Sequence, residues 1–148
     1  MVVFSSRLDR SYHENLQKLL FFNPNQAQVA PEILRAIERY GEPRIAVIDD
    51  RLRVALGSPT EVQTLFVLEA DQPGARLVGV VVYTREEDTL VVVYVALDEA
   101  YAARGMKAQR LLFLRIVDEL RSVARRIKGV GSLTLFCGGG VARRIRVR

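Results

Sequence analysis

A chain of 148 residues, 49% apolar and 26% charged with a net charge of +5, suits one soluble domain with a sizeable core. No apolar run approaches the roughly 20 residues that span a bilayer, and the opening "MVVFSSRLDRSYHE" has neither charged leader nor long apolar segment, so no secretion signal is expected. With one cysteine and one histidine, an internal disulfide is impossible, a His- or Cys-rich metal site is not expected, and a reducing cytoplasm fits best.

The charge is unevenly spread. Residues 1–100 carry ten Lys/Arg against fifteen Asp/Glu, and residues 101–148 carry twelve against two, so the halves stand at −5 and +10. Such asymmetry points to an anionic partner, a phosphorylated small molecule or a nucleic acid. It is equally compatible with a solvated arginine-rich helix face followed by a disordered tail.

Along the chain, "VVFS" reads as a short first strand. "SYHENLQKLLFF" opens with Ser11 and has Glu14 three positions later, the spacing of a capping box, with Tyr12, Leu16, Leu19 and Leu20 on one helical face. "PEILRAIERYG" places Pro31 near a helix start and Gly41 past its end. "RIAVIDDRLRVALG" reads as two extended pieces around Asp49–Asp50. "TLFVLEA", "ARLVGVVVYT" and "TLVVVYVAL" form an expected antiparallel meander, with Pro73–Gly74 in a tight turn. The near-continuous apolarity of the last two runs predicts central strands covered on both faces.

From Met106 to Lys128 the period changes. Phe113, Ile116, Val117, Leu120, Val123, Ala124 and Ile127 recur every three or four residues, with charged side chains between them, as in an amphipathic helix. Gly129 and Gly131 end it, and "SLTLF" reads as a strand. A strand, a helix of this length and a returning strand can make a right-handed crossover with parallel pairing. "CGGG" suits a hinge, and "VARRIRVR" suits either a terminal strand or a basic tail. The chain thus divides into residues 1–136, a single domain, and 137–148, a Gly-rich hinge with a tail or exchanged strand.

This α+β order, with "VALDEAYAARGM" between the third meander strand and the long helix, resembles the GNAT superfamily of acyl-CoA-dependent N-acetyltransferases. The resemblance runs from Thr64 to Phe136, about half the chain. It implies a GNAT-like mixed central sheet with an antiparallel meander, a long crossover helix and a short fifth strand, Arg44–Leu56 being an added hairpin. It also implies acetyl-CoA as cofactor. In that family an R/Q-x-x-G-x-G/A loop holds the cofactor pyrophosphate with backbone N–H groups and a helix N-terminus, where unpaired amides and the helix dipole attract anions. Aligning Gly105 with the first family glycine puts Ala102 where Arg or Gln is usual and Lys107 where Gly or Ala is usual; a one-residue insertion puts Ala108 there. The resemblance implies cofactor contacts at Val95, Leu97, Arg104, Gly105, Met106, Lys107 and Ala108. A solvated first-turn lysine is the plain alternative for Lys107.

Amine acylation needs a base for the ammonium, donors for the thioester carbonyl and an acid for the thiolate. Glu69, at the end of a strand, is the candidate base. Tyr94, or Tyr83, is the candidate donor. An exposed strand-end carboxylate and packed aromatics are the ordinary alternatives. Asp98 and Glu99 could attract a cationic amine or serve as turn acids. Cys137 suits a small buried side chain, and His13 a surface residue. The family continues past its fifth strand with a helix, often the source of a catalytic tyrosine, and two more strands. Here "CGGGVARRIRVR" follows, without tyrosine, and an uncovered fifth-strand edge predicts a homodimer. The expectations are an acyl-CoA-dependent N-acyltransferase acting on an amine, or a catalytically inert GNAT-like binding or assembly module. Nucleic-acid contact through "VARRIRVR" and the helix arginines ranks last, because no aromatic residues interleave with those arginines.

Overall fold

A computed structural model describes residues 2–21, 41–57, 61–70, 74–98, 106–137 and 141–147. The predicted helix at 31–40 and the segment 99–105, with Arg104 and Gly105, lie outside them. Strand β1 (Val2–Ser5) leads through a 3-10 turn at Arg10–Tyr12 into helix α1 (His13–Phe21). The start signal differs from the expected Ser11/Glu14 box. Asp9 caps the turn, its carboxylate accepting from the Ser11 N–H at 3.0 Å, so Ser11 is the capped residue rather than the cap.

Strands β2 (Pro43–Ile48) and β3 (Arg51–Leu56) form a separate antiparallel hairpin. Its two turn residues, Asp49 and Asp50, both take positive φ (52° and 62°), as a two-residue hairpin turn of matching twist requires. The meander follows as β4 (Gln63–Glu69), β5 (Arg76–Glu86) and β6 (Thr89–Leu97). Helix α2 spans Met106–Arg125, and β7 (Ser132–Cys137) returns parallel to β6. The helix ends three residues before Lys128, because Arg126 and Ile127 donate three residues back, to Val123 and Ala124. Gly129 (φ 87°) then takes the left-handed conformation that turns the chain toward β7.

The strand order is β1-β4-β5-β6-β7-β8, antiparallel except for β6–β7. The last strand, β8 (Val141–Arg146), pairs along all of β7. The edge that the sequence left open on β7 is therefore covered by the same chain, and that premise for a dimer moves out to β8. Two arginines of α2 hold the end of β8: Arg121 donates to the carbonyl of Arg146 at 3.3 Å, and Arg125 to that of Val147 at 3.0 Å.

Each face of the sheet has its own core. Leu112, Ile116, Leu120 and Ala124 of α2 pack on Leu65, Val67, Val81, Leu90 and Leu133. On the other face Leu16, Leu19 and Leu20 of α1 join Leu52, Val54 and Leu56 of β3 over Phe66, Val80 and Val82. Burial on both sides explains why β5 and β6 read as unbroken apolar runs. Among the described residues no helix is long and apolar enough to cross a membrane.

Gly79 of β5 sits between Val67 and Leu97 in the neighbouring strands. A Cβ there would lie 3.0 Å from Leu97 Cδ2 and 3.2 Å from Val67 Cβ and Cγ2. Leu97 can turn its tip, but the β-branched Val67 is wholly buried and has nowhere to go. Crowding then outweighs the gain of about 0.5–1 kcal/mol that alanine brings to a strand. Gly79→Ala is predicted to lower stability by about 1–3 kcal/mol, seen in urea unfolding as a lower midpoint at unchanged slope. An unchanged or higher midpoint would mean that both neighbours yield freely.

Candidate functional site

The parallel ladder between β6 and β7 is short. It pairs Thr89 with Ser132, Leu90 with Leu133 and Val91 with Thr134, and then ends. Beyond it β6 keeps its pairing with β5 as far as Leu97, and β7 keeps its pairing with β8 as far as Cys137. Past Val91 and Thr134 the two strands no longer pair with each other, which leaves a wedge of unpaired edge between them.

Directly past the ladder β6 carries a bulge. Val82 pairs with Tyr94 and Tyr83 with Val92, which leaves Val93 as an extra residue. Alternation breaks there. Leu90 and Val92 join the α2-side core, whereas Val93 and Tyr94, consecutive in sequence, both join the α1-side core. The bulge thus aims Tyr94 at α1, where its hydroxyl donates to the Leu20 carbonyl at 3.3 Å. Val95 and Leu97 return to the α2 side, partly buried and buried respectively.

The ladder's closed end is fastened by a ring of polar groups. Arg144 Nε donates to Ser132 Oγ at 3.1 Å, and Ser132 Oγ lies 2.8 Å from Thr89 Oγ1, which donates to Asp88 Oδ1 at 3.1 Å. Asp88 closes the ring with Arg144 at 3.8 Å, and its carbonyl accepts from the Gly131 N–H at 2.9 Å. With its own proton on Asp88, Thr89 accepts from Ser132. A cleft of about 450 Å³ opens here, lined by Asp88, Gly131, Ser132, Arg144 and Arg146. It lies at the opposite end of β6 from the wedge.

The two candidate catalytic residues are not brought together. Glu69 is mostly buried and paired across the strands with Arg76 at 3.4 Å. It follows Val67 by two positions on β4 and so shares the α2 side, while Tyr94 faces α1. Tyr94 lies level with Val82 and Thr64, five residues along the sheet from Glu69, roughly 16 Å at about 3.3 Å per residue. Asp98 extends β6 by one backbone bond, its N–H donating to the Val78 carbonyl at 2.8 Å. Of the expected cofactor contacts, Met106, Lys107 and Ala108 form the first turn of α2, which contains no acidic residue. Among the described residues no cluster of three or more His, Cys, Asp or Glu could hold a metal ion. Sequence reasoning missed Val93 and the ring at Asp88.

Tyr83, the other candidate donor, is buried on the α2 side. Burial raises its pKa above the usual tyrosine value, opposed by the nearby charge of Arg126 and reinforced by Glu119. At neutral pH it stays a proton-bearing phenol. Because the folded pKa is the higher one, the native state keeps this proton longer than the unfolded chain does. Stability is unaffected below pH about 10, where unfolded tyrosine titrates, and falls as pH rises above it. Tyr83→Phe is predicted to flatten the alkaline limb of a melting-temperature profile; an equally steep limb in the variant would show that other groups cause it.

Compared with known proteins, the chain matches no family, and neither a curated protein nor a solved structure resembles it significantly.

Proposed function

We propose that the chain is an acyl-CoA-dependent N-acyltransferase of GNAT type, and that its cofactor site is the wedge between β6 and β7. The observation that carries this reading is the early end of the β6–β7 ladder, with the Val93 bulge beside it and a helix entered soon after β6. A strand edge that loses its partner in the middle of a sheet suits an extended chain carrying amides, such as the pantetheine arm of coenzyme A. Val93 and Val95 would flank that arm. The first turn of α2 contains no acid to repel a diphosphate, which favours an anion at that helix end.

When bound, acyl-CoA supplies a thioester as acyl donor. The chain's part is to hold this thioester beside an amine, which turns a two-body encounter into a reaction within one complex. Tyr94 lies next to the bulge and carries an O–H, but its hydrogen bond to Leu20 directs it to the α1 side. Asp98 is the carboxylate nearest the open end of β6 along the chain. It lies nearer the wedge along the chain than Glu69 does, and would draw a cationic amine toward it. The amine's identity depends on surface loops, not on the sheet.

A second reading has its own support. Glu69 and Tyr94 stand on opposite faces, so the acid and base expected from sequence do not form a pair. That favours the inert module, which would bind acyl-CoA, or another ligand in the wedge, without turnover.

Acetyl-CoA is predicted to raise the melting temperature, by an amount that grows with concentration as binding to the native state requires. Gly105→Val is predicted to abolish this rise while leaving the free protein's melting temperature unchanged. No rise at millimolar acetyl-CoA would reject both cofactor readings. A rise without thiol release over a panel of amines would leave the inert module.

A further inference from the structure

We propose that the C-terminal strand β8 and the end of α2 form a binding surface for the phosphodiester backbone of single-stranded nucleic acid. The inference does not rest on the acyltransferase reading, because this surface lies away from the wedge.

The sequence separates these arginines into a helix and a tail; the fold gathers them. Arg144 and Arg146 occupy alternate positions of one strand, so they share a face and stand roughly 6–7 Å apart. Both are exposed, on the sheet face that also carries Ser132 and Thr134, their register partners. Arg121 and Arg125, one helical turn apart, reach the carbonyls of Arg146 and Val147. Leu133, Leu135, Ile145 and Val147 face α2, so Arg144 and Arg146 stand on the opposite face, and the four guanidinium groups flank the outer edge of β8 from its two sides.

Their charge is largely uncompensated. Arg144 has Asp88 at 3.8 Å, an exposed pair that water screens. Among the described residues no carboxylate lies within ion-pair distance of Arg121, Arg125 or Arg146. Arg121 Nε is buried without a hydrogen-bond partner. Each guanidinium has five N–H donors, so one bond to a carbonyl leaves others for an anion. β8 also ends the sheet order, and its outer edge adds backbone donors to these cations.

Cations on both sides of a sheet edge suit the successive phosphates of a chain lying along that edge better than a single small anion. The surroundings argue against a lipid surface. The exposed large apolar residues among those described are Val3, Val47, Ile48, Leu111 and Leu114. Val3 lies at the far edge of the sheet, and Val47 and Ile48 in the separate hairpin. Leu114 is seven residues from Arg121, roughly 10 Å along the helix axis. No apolar wedge therefore accompanies the arginines into a bilayer. The lack of interleaved aromatic residues, which weighed against nucleic acid in the sequence, here sets the kind of binding: phosphate contacts without base stacking, hence insensitive to sequence.

The test is fluorescence anisotropy of labelled single-stranded oligonucleotides of two unrelated sequences, titrated with the full chain at several salt concentrations. The expected result is similar affinity for both and a steep loss of binding with salt. Arg146→Gln should weaken binding and reduce the slope of log K against log salt by about 0.7, the value for one lost single-strand phosphate contact. Arg144→Lys keeps the charge and should bind nearly as wild type. Circular dichroism melts confirm that both variants fold, and the response to acetyl-CoA should be unchanged in Arg146→Gln. No binding at low salt, or an Arg146→Gln slope equal to wild type, overturns the proposal. So does retention on phosphatidylserine vesicles by a protein that ignores the oligonucleotide.

Discussion

Three residue pairs join β6 to β7, and the polar ring of Arg144, Ser132, Thr89 and Asp88 fastens the first of them. This junction is where the antiparallel meander meets the one parallel pairing among the described residues, and the crossover through α2 is anchored there. The ring fastens one end of this pairing, and past Val91 and Thr134 it stops. β5 pairs with β6 from Thr89 to Leu97, interrupted at the Val93 bulge, and β8 pairs along all of β7. Each strand therefore stays held on its other side where the pairing between them ends.

The cores and the ring divide the work. Burial on both faces stabilises the middle of the sheet, where Phe66, Val67, Val78, Val80, Val81 and Val82 are almost wholly inaccessible. The ring and the arginine contacts to β8 act at the margin, where there is less apolar surface to bury. Arg121 and Arg125 tie the helix that covers the α2-side core to the last strand of the sheet. The basic surface is thus partly a by-product of closing the fold.

Much of the architecture was legible in the sequence, for identifiable reasons. The period of Ile116, Leu120 and Ala124 marks α2, and the unbroken apolar runs mark β5 and β6 as doubly covered. Asp49–Asp50 marks the hairpin turn, since short acidic side chains tolerate positive φ. The bulge was hidden by its own composition. Val91, Val92 and Val93 are identical, so a one-residue slip between faces leaves no trace in the pattern. Glu69 and Tyr94 both looked like strand residues near a site, but which face each occupies depends on that slip and on cross-strand register. β8 was ambiguous because its arginines resemble a tail; its pairing depends on contacts with β7 and α2 that short-range patterns do not contain. Ser11 and Asp9 are both competent caps, and the 3-10 turn before α1 decided between them.

Binding of acyl-CoA along the unpaired edges of β6 and β7 is tested most directly by residue-resolved amide NMR during titration with acetyl-CoA. The expected shifts concentrate at Val92–Asp98, Thr134–Leu135 and the first turn of α2, with the ring at Asp88 and Ser132 little changed. Shifts centred on that ring, or none at saturating cofactor, would contradict it.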